Sequence, residues 1–196
     1  MCSSDLSDQR VTHTVLVETM TQYRTEGPTE LRSLGETEFF ANIAMEAAKG
    51  PVKVAAGIVA AVDLRLGDKL QAVLETHLKT ANGHLRGVRV NVAWDEYPVM
   101  GIPLDPVRAV LLDDGNSTAG MRSLAKLGLT LDTWVFHHQI HKATEAAQRV
   151  PELTIVLDHV GSPIGPVGPY AGKEKEVFKA WEAAIRAAAR RPNIVV

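Results

Sequence analysis

His137 and His159 each close an apolar run, residues 130–136 and 153–157, that reads as a β-strand, and the two runs are consecutive strands of the chain. Neighbouring parallel strands lie about 5 Å apart. Two imidazoles at their ends can therefore share a divalent cation, at about 2 Å from each nitrogen. They can equally hold a water molecule or a substrate carboxylate. A hydrogen-bonded structural histidine is the bland alternative for either one alone; equivalent positions on adjacent strands favour function for the pair. His138 follows His137 directly and in an extended chain points to the opposite face. Leu131, Thr133, Val135 and His137 share one face, which makes His137 the inward residue. Arg89 and Asn91 share a face of the strand 85–92. An arginine inside a buried strand needs an anionic partner, and its forked guanidinium suits a substrate carboxylate. An internal ion pair with Glu18, Asp63 or Asp95 is the competing reading. Gln139 at the end of the fourth strand and Trp94 after the third complete the candidate ligand contacts. Asp158 precedes His159, so alternation turns it toward the helical layer as a structural residue. His141 reads as an exposed helix start, and His13, His77 and His84 as surface or helix residues without a role.

The elements that must position these residues alternate. Strand-like runs at 14–20, 52–62, 85–92, 130–136, 153–157 and 193–196 are separated by helical patterns at 36–49, 68–82, 117–127, 141–150 and 173–190. The first helix presents Phe39, Ile43 and Ala47 on one face, the second Leu70, Leu74 and Leu78, and the last Val177, Trp181 and Ile185. Ser117 is the expected N-cap of its helix and Gly128 its C-terminal glycine. Strands alternating with helices imply βαβ units and a parallel sheet, and continuous apolar strands imply burial on both faces. No glycine-rich fingerprint follows the first strand, and polar residues recur at the C-terminal ends of successive strands. Both points favour a barrel mouth over an open doubly wound sheet. The expected fold is α/β, a partial (β/α)8 TIM barrel with about six βα units.

Composition narrows the partners. The 196 residues carry a formal net charge of -2, spread along the chain, which suggests neither a nucleic-acid partner nor a membrane-surface helix. The longest apolar runs have the length of buried strands. One cysteine, Cys2, allows no internal disulfide and fits a reducing, cytoplasmic setting. The motif G-x-S-x-G is absent, which argues against an acyl-enzyme route and leaves activated water as the chemistry these residues support. The glycine- and proline-rich segment 161–172 and the segment 95–106 are rim or lid candidates. The segment Cys2-Ser3-Ser4-Asp5-Leu6 matches what the end of a common sequencing adapter encodes in one frame. Residues 1–10 are accordingly read as a non-native or disordered N-terminus, and residues 11–196 as one incomplete barrel domain.

Six segments in series, 35–39 (GETEF), 56–66 (AGIVAAVDLRL), 85–95 (LRGVRVNVAWD), 134–140 (WVFHHQI), 153–161 (LTIVLDHVG) and 168–172 (GPYAG), resemble the amidohydrolase-related (amidohydrolase-2) family, in its lactonase branch. The resemblance covers nearly the whole chain after about Val11. It implies a (β/α)8 barrel that hydrolyses a lactone, or a related cyclic ester or amide of a small carboxylated compound, with water. It puts the family's strand-five histidine on His137, its strand-six histidine on His159 and its strand-four arginine on Arg89. Zinc or manganese held by His137 and His159, or a metal-independent route, are both implied, because metal use varies within the family. The family's opening His-x-His strand and its last-strand aspartate have no counterpart here, so the chain is expected to be a fragment lacking the first and last strands, with exposed sheet edges and poor solubility. A non-catalytic module that binds small acids, an inactive fragment and an unrelated doubly wound domain are the alternatives. The expected partner is a small-molecule substrate, with no nucleic acid and no membrane; the sequence does not specify an oligomeric state.

Overall fold

In the computed structural model, residues 10–101 and 105–196 are described. The expectation for the N-terminus therefore falls on residues almost all outside the described ones, as does the centre of the 95–106 segment. Among the described residues six strands are present: β1 His13–Val17, β2 Lys53–Ala61, β3 Leu85–Asn91, β4 Thr130–Trp134, β5 Ile155–Leu157 and β6 Ile194–Val195. Their order in the parallel sheet follows their order in the chain, the succession of a (β/α) barrel. The helices are α1 Leu34–Glu46, α2 Leu70–Thr80, α3 Pro106–Val110, α4 Gly115–Lys126, α5 Ile140–Arg149 and α6 Glu174–Ala188. The chain forms two compact units. One runs to Ala61 and adds Val73–Arg86; the other comprises Val62–Ala72 and Gly87–Val196.

In the first unit β1 pairs with β2 in parallel. The rotation of α1 differs from the expected one. Phe39 is 41 % exposed, while Leu34, Phe40, Ala41 and Ala44 are buried. Polar anchors set this rotation. Glu36 is buried, and its Oε1 accepts from the backbone N–H groups of Thr19 and Thr21, each at 2.9 Å. Thr37 Oγ1 lies 2.8 Å from Nδ1 of His77, a residue that is fully buried rather than at the surface. The helix can start here only because residue 35 is glycine: a Cβ would sit 2.2 Å from the carbonyl oxygen of Gln22.

The second unit carries β3 to β6, paired in parallel. Asp114, not Ser117, caps α4: its Oδ1 accepts from the Ser117 N–H at 3.0 Å, and Ser117 is buried one turn inside. A carboxylate at the helix N-terminus also gains from the helix dipole. Gly120 lets α4 approach the Leu64–Lys69 turn, where a Cβ would meet the Leu64 carbonyl oxygen at 2.6 Å. Leu131, Thr133 and Val135 are fully buried. The face of β4 that lies in register with Arg89 and Asn91 of β3 carries Asp132 and Trp134 instead. The expected single run through to His137 is broken for a local reason. The strand ends at Trp134 and the chain turns into a 3-10 turn at His137–Gln139, so period-two alternation stops before His137. The same happens after β5: Asp158–Gly161 is a 3-10 turn in which His159 has φ +50°.

Candidate active site

The C-terminal ends of β3, β4 and β5 are tied together by side chains that reach backbone groups. Gln139 is the main tie. Its Oε1 accepts from Trp94 N–H at 3.0 Å and Phe136 N–H at 3.2 Å, and its Nε2 donates to the Val92 carbonyl at 2.9 Å. The residue is buried, and its amide braces the site while one Nε2–H remains beyond these three bonds. Asn91 Oδ1 accepts from Ala93 N–H. Trp94, half-buried, holds its indole Nε1 inside without a hydrogen-bond partner among the described residues. Trp134 Nε1 donates to Ser162 Oγ at 2.8 Å, and His137 N–H donates to the Ser162 carbonyl at 3.2 Å. Ala93, Val99, Phe136 and Ile164 form a small apolar cluster beneath these loops, with Trp134 and Tyr170 packed against it.

The polar centre is Asp95, which is buried. Its Oδ1 accepts from Tyr97 N–H at 2.8 Å and its Oδ2 from the Tyr170 hydroxyl at 2.6 Å. Nε2 of His138 lies 3.5 Å from the same Oδ2 and donates to the Trp94 carbonyl at 3.2 Å. Burial and the hydrogen bond to Asp95 push the Tyr170 phenol up to about 12. His137 is buried, with its ring edge-on to those of His138 at 5.1 Å and Tyr170 at 5.8 Å. Its Nδ1 is inside the protein with no partner among the described residues. Burial, then the neighbouring His138, lowers the His137 pKa; burial also lowers that of His138, against the opposing pull of Asp95. Both rings are therefore neutral at neutral pH, the state in which an imidazole offers a lone pair. His159 is exposed and stands edge-on to Trp134 at 5.5 Å.

Deeper along the strands, register sets Arg89 opposite Asp132 and Asn91 opposite Trp134. Burial, and then the charge of Asp158, raise the Asp132 pKa to about 6, while Thr130 and Arg89 act to lower it. The charge of Asp158 thus reaches Asp132, which pairs in register with Val156 of β5. Asp132 is the residue that sequence reasoning missed beside Arg89. Its signal was present: a carboxylate in the middle of an apolar strand. Of the expected partners, Asp63 is engaged by Arg65 at 2.8 Å and Asp95 by Tyr170.

Among the described residues no three His, Cys, Asp or Glu side chains converge on a point that could hold a metal ion. His137 and His159 supply two donors at most, short of the four a zinc ion takes. The described residues do not by themselves fit a metal.

A family model described as amidohydrolase matches residues 14–196. The chain belongs to the amidohydrolase family. This amidohydrolase is 27 % identical over 143 residues to protein y4mH of Sinorhizobium fredii, a match covering 70 % of this chain and 42 % of that one. It is similar in fold to an amidohydrolase from Burkholderia multivorans solved with bound zinc, with TM-score 0.62, 23 % identity, and coverage of 85 % of this chain and 50 % of that one. The form of a Burkholderia multivorans amidohydrolase solved with bound HEPES gives TM-score 0.59 at 19 % identity, covering 94 % of this chain and 67 % of the other. The chain thus spans about half the length of the first relatives it matches. No helix among the described residues is long and apolar enough to cross a membrane.

Proposed function

We propose that this amidohydrolase opens a lactone, or a related cyclic ester or amide, of a small carboxylated compound. The observation that carries the reading is one strand face, with Arg89 beside Asn91 on β3 and Asp132 beside Trp134 on β4, that leads to the turns bearing His137 and His159. Arg89 offers a bidentate contact to a carboxylate, and Asn91, Trp94 and Trp134 give a ring-shaped ligand polar and flat surroundings. His137 or His159 would take a proton from water as its oxygen bonds to the carbonyl carbon. The ring C–O or C–N bond then breaks, and the same proton goes to the departing oxygen or nitrogen. Gln139 supports this as a brace. Zinc or manganese, if used, needs donors beyond these two histidines.

The test is hydrolysis by the full chain of a panel of aldonolactones and carboxylated pyrones, followed by acid release. Each is run after chelation and again with zinc or manganese restored. Turnover of carboxylated lactones is expected, and Arg89→Met should raise KM for acids about tenfold or more while leaving neutral lactones unchanged. Binding without turnover would replace the hydrolytic reading with a small-acid binding module. The reading places the protein in the cytoplasm, with a small-molecule substrate as its partner; cell fractionation checks the location.

A further inference from the structure

We propose that His138 is a ligand-facing residue of this site, held as the Nε2–H tautomer so that Nδ1 accepts a hydrogen bond from a ligand hydroxyl or a water molecule, with Asp95 and Tyr170 as its positioning residues. This goes beyond the hydrolytic reading of His137 and His159 and stands without it.

The argument is one of donors and acceptors. Nε2 of His138 faces two groups, the Trp94 carbonyl at 3.2 Å and Asp95 Oδ2 at 3.5 Å. The carbonyl has no proton to give. Asp95 has none either, because its two oxygens already accept from Tyr97 N–H and the Tyr170 hydroxyl. Nε2 must therefore carry the proton. A neutral imidazole has only one N–H, so Nδ1 is left as a bare acceptor. The carboxylate is itself fixed: it is buried, and the 2.6 Å bond from Tyr170 joins it to a residue 75 positions along the chain. The ring cannot turn freely, since it stacks on Phe136 at 6.2 Å and meets His137 edge-on. A carboxylate that holds one imidazole nitrogen sets the direction of the other.

Exposure separates the two neighbours. The His138 side chain is 36 % exposed, and its Nδ1 has no protein partner among the described residues. His137 is 6 % exposed with Nδ1 inside the protein. Tyr170 can reach Asp95 because its loop crosses close over Tyr97: Gly168 has φ +50°, and a Cβ there would lie 2.4 Å from the Tyr97 ring. The contact between the loops after β3 and β5 therefore fixes one ring at the mouth of the site.

Isotope-labelled full-length chain is read by proton–nitrogen correlation at about pH 8, where an ordinary histidine is neutral. His138 is identified by the signals lost in His138→Gln. We expect one Nε2–H tautomer with a ring proton protected from exchange. That protection is lost in both Asp95→Asn and Tyr170→Phe, while the buried His77 ring is unaffected. A proton on Nδ1, fast averaging as in a free imidazole, or protection unmoved by either substitution overturns the proposal. If Asp95→Asn fails to fold, Tyr170→Phe, which removes one hydroxyl, decides alone. On any lactone that is turned over, His138→Phe should lower kcat/KM about tenfold or more, and His138→Gln, which keeps an acceptor, should recover part of it. Equal activity in all three proteins overturns the ligand-facing role. If no lactone is turned over, the hydrolytic reading fails and the ring spectrum still decides this one.

Discussion

Two titratable side chains, the buried His77 and the half-buried Asp132, give the molecule opposing responses to acid. His77 has its Nδ1 against Thr37 and its pKa lowered to about 4, first by burial and then by the charge of Arg24. A group whose pKa falls on folding adds stability above its unfolded value of about 6.5 and loses it as pH drops toward its folded value. Wild type should therefore lose about 2 kcal/mol of this contribution between about pH 7 and about pH 5. Urea unfolding of wild type and His77→Gln at both pH values measures it: the difference between the two proteins should shrink in acid, and parallel behaviour would refute it. Asp132 works the other way. Its pKa is raised to about 6, so its favourable contribution is full below about pH 4 and is lost as pH rises through about 6. Asp132→Asn keeps the shape and removes the charge. It should be more stable than wild type by about 1–2 kcal/mol at pH 7, seen as a higher thermal midpoint. If Arg89 relies on this carboxylate for its orientation, turnover falls in the same variant.

At the scale of elements, the ends of β3 and β4 depend on a single amide. Gln139→Ala leaves the Trp94 N–H and the Val92 carbonyl, both served by that side chain, without it. Unsatisfied buried backbone groups cost about 1–3 kcal/mol each. A loss of about 2–4 kcal/mol is expected in denaturant unfolding, with faster amide exchange at Trp94 and Phe136. This brace also shows which level of structure the sequence reveals. Strand–helix alternation is legible because apolar β-branched runs recur between amphipathic ones, and with it the position of Asn91 at the end of β3 and of His137 and His159 just after β4 and β5. Rotation about an element's own axis is not. The face of α1 is decided by Glu36 reaching Thr19 and Thr21, contacts about 15 residues away in sequence that no periodicity encodes. Alternation along β4 cannot be carried through to His137, where the chain has already turned. Asp95 was named only as one candidate partner of Arg89. Its bond to Tyr170 joins two loops, and loop contacts leave no periodic trace.

For the molecule as a whole, the sheet's outer strands matter first. Among the described residues, β1 and β6 each have one strand neighbour, and Val15 on β1 is 56 % exposed. An apolar side chain on an edge strand invites pairing with another chain. Val15→Lys should lower concentration-dependent light scattering without altering the circular dichroism spectrum; unchanged scattering would locate the association elsewhere. The threading of the two compact units has a different consequence. The chain leaves the first unit after Ala61, comes back at Val73 and leaves again after Arg86. Neither unit is a contiguous piece of gene. A single cut cannot deliver one without the other, and a library that shuffles segments at one crossover will always split a unit. Recombination within this family therefore needs three coordinated breakpoints, near residues 62, 73 and 87, to move either unit intact.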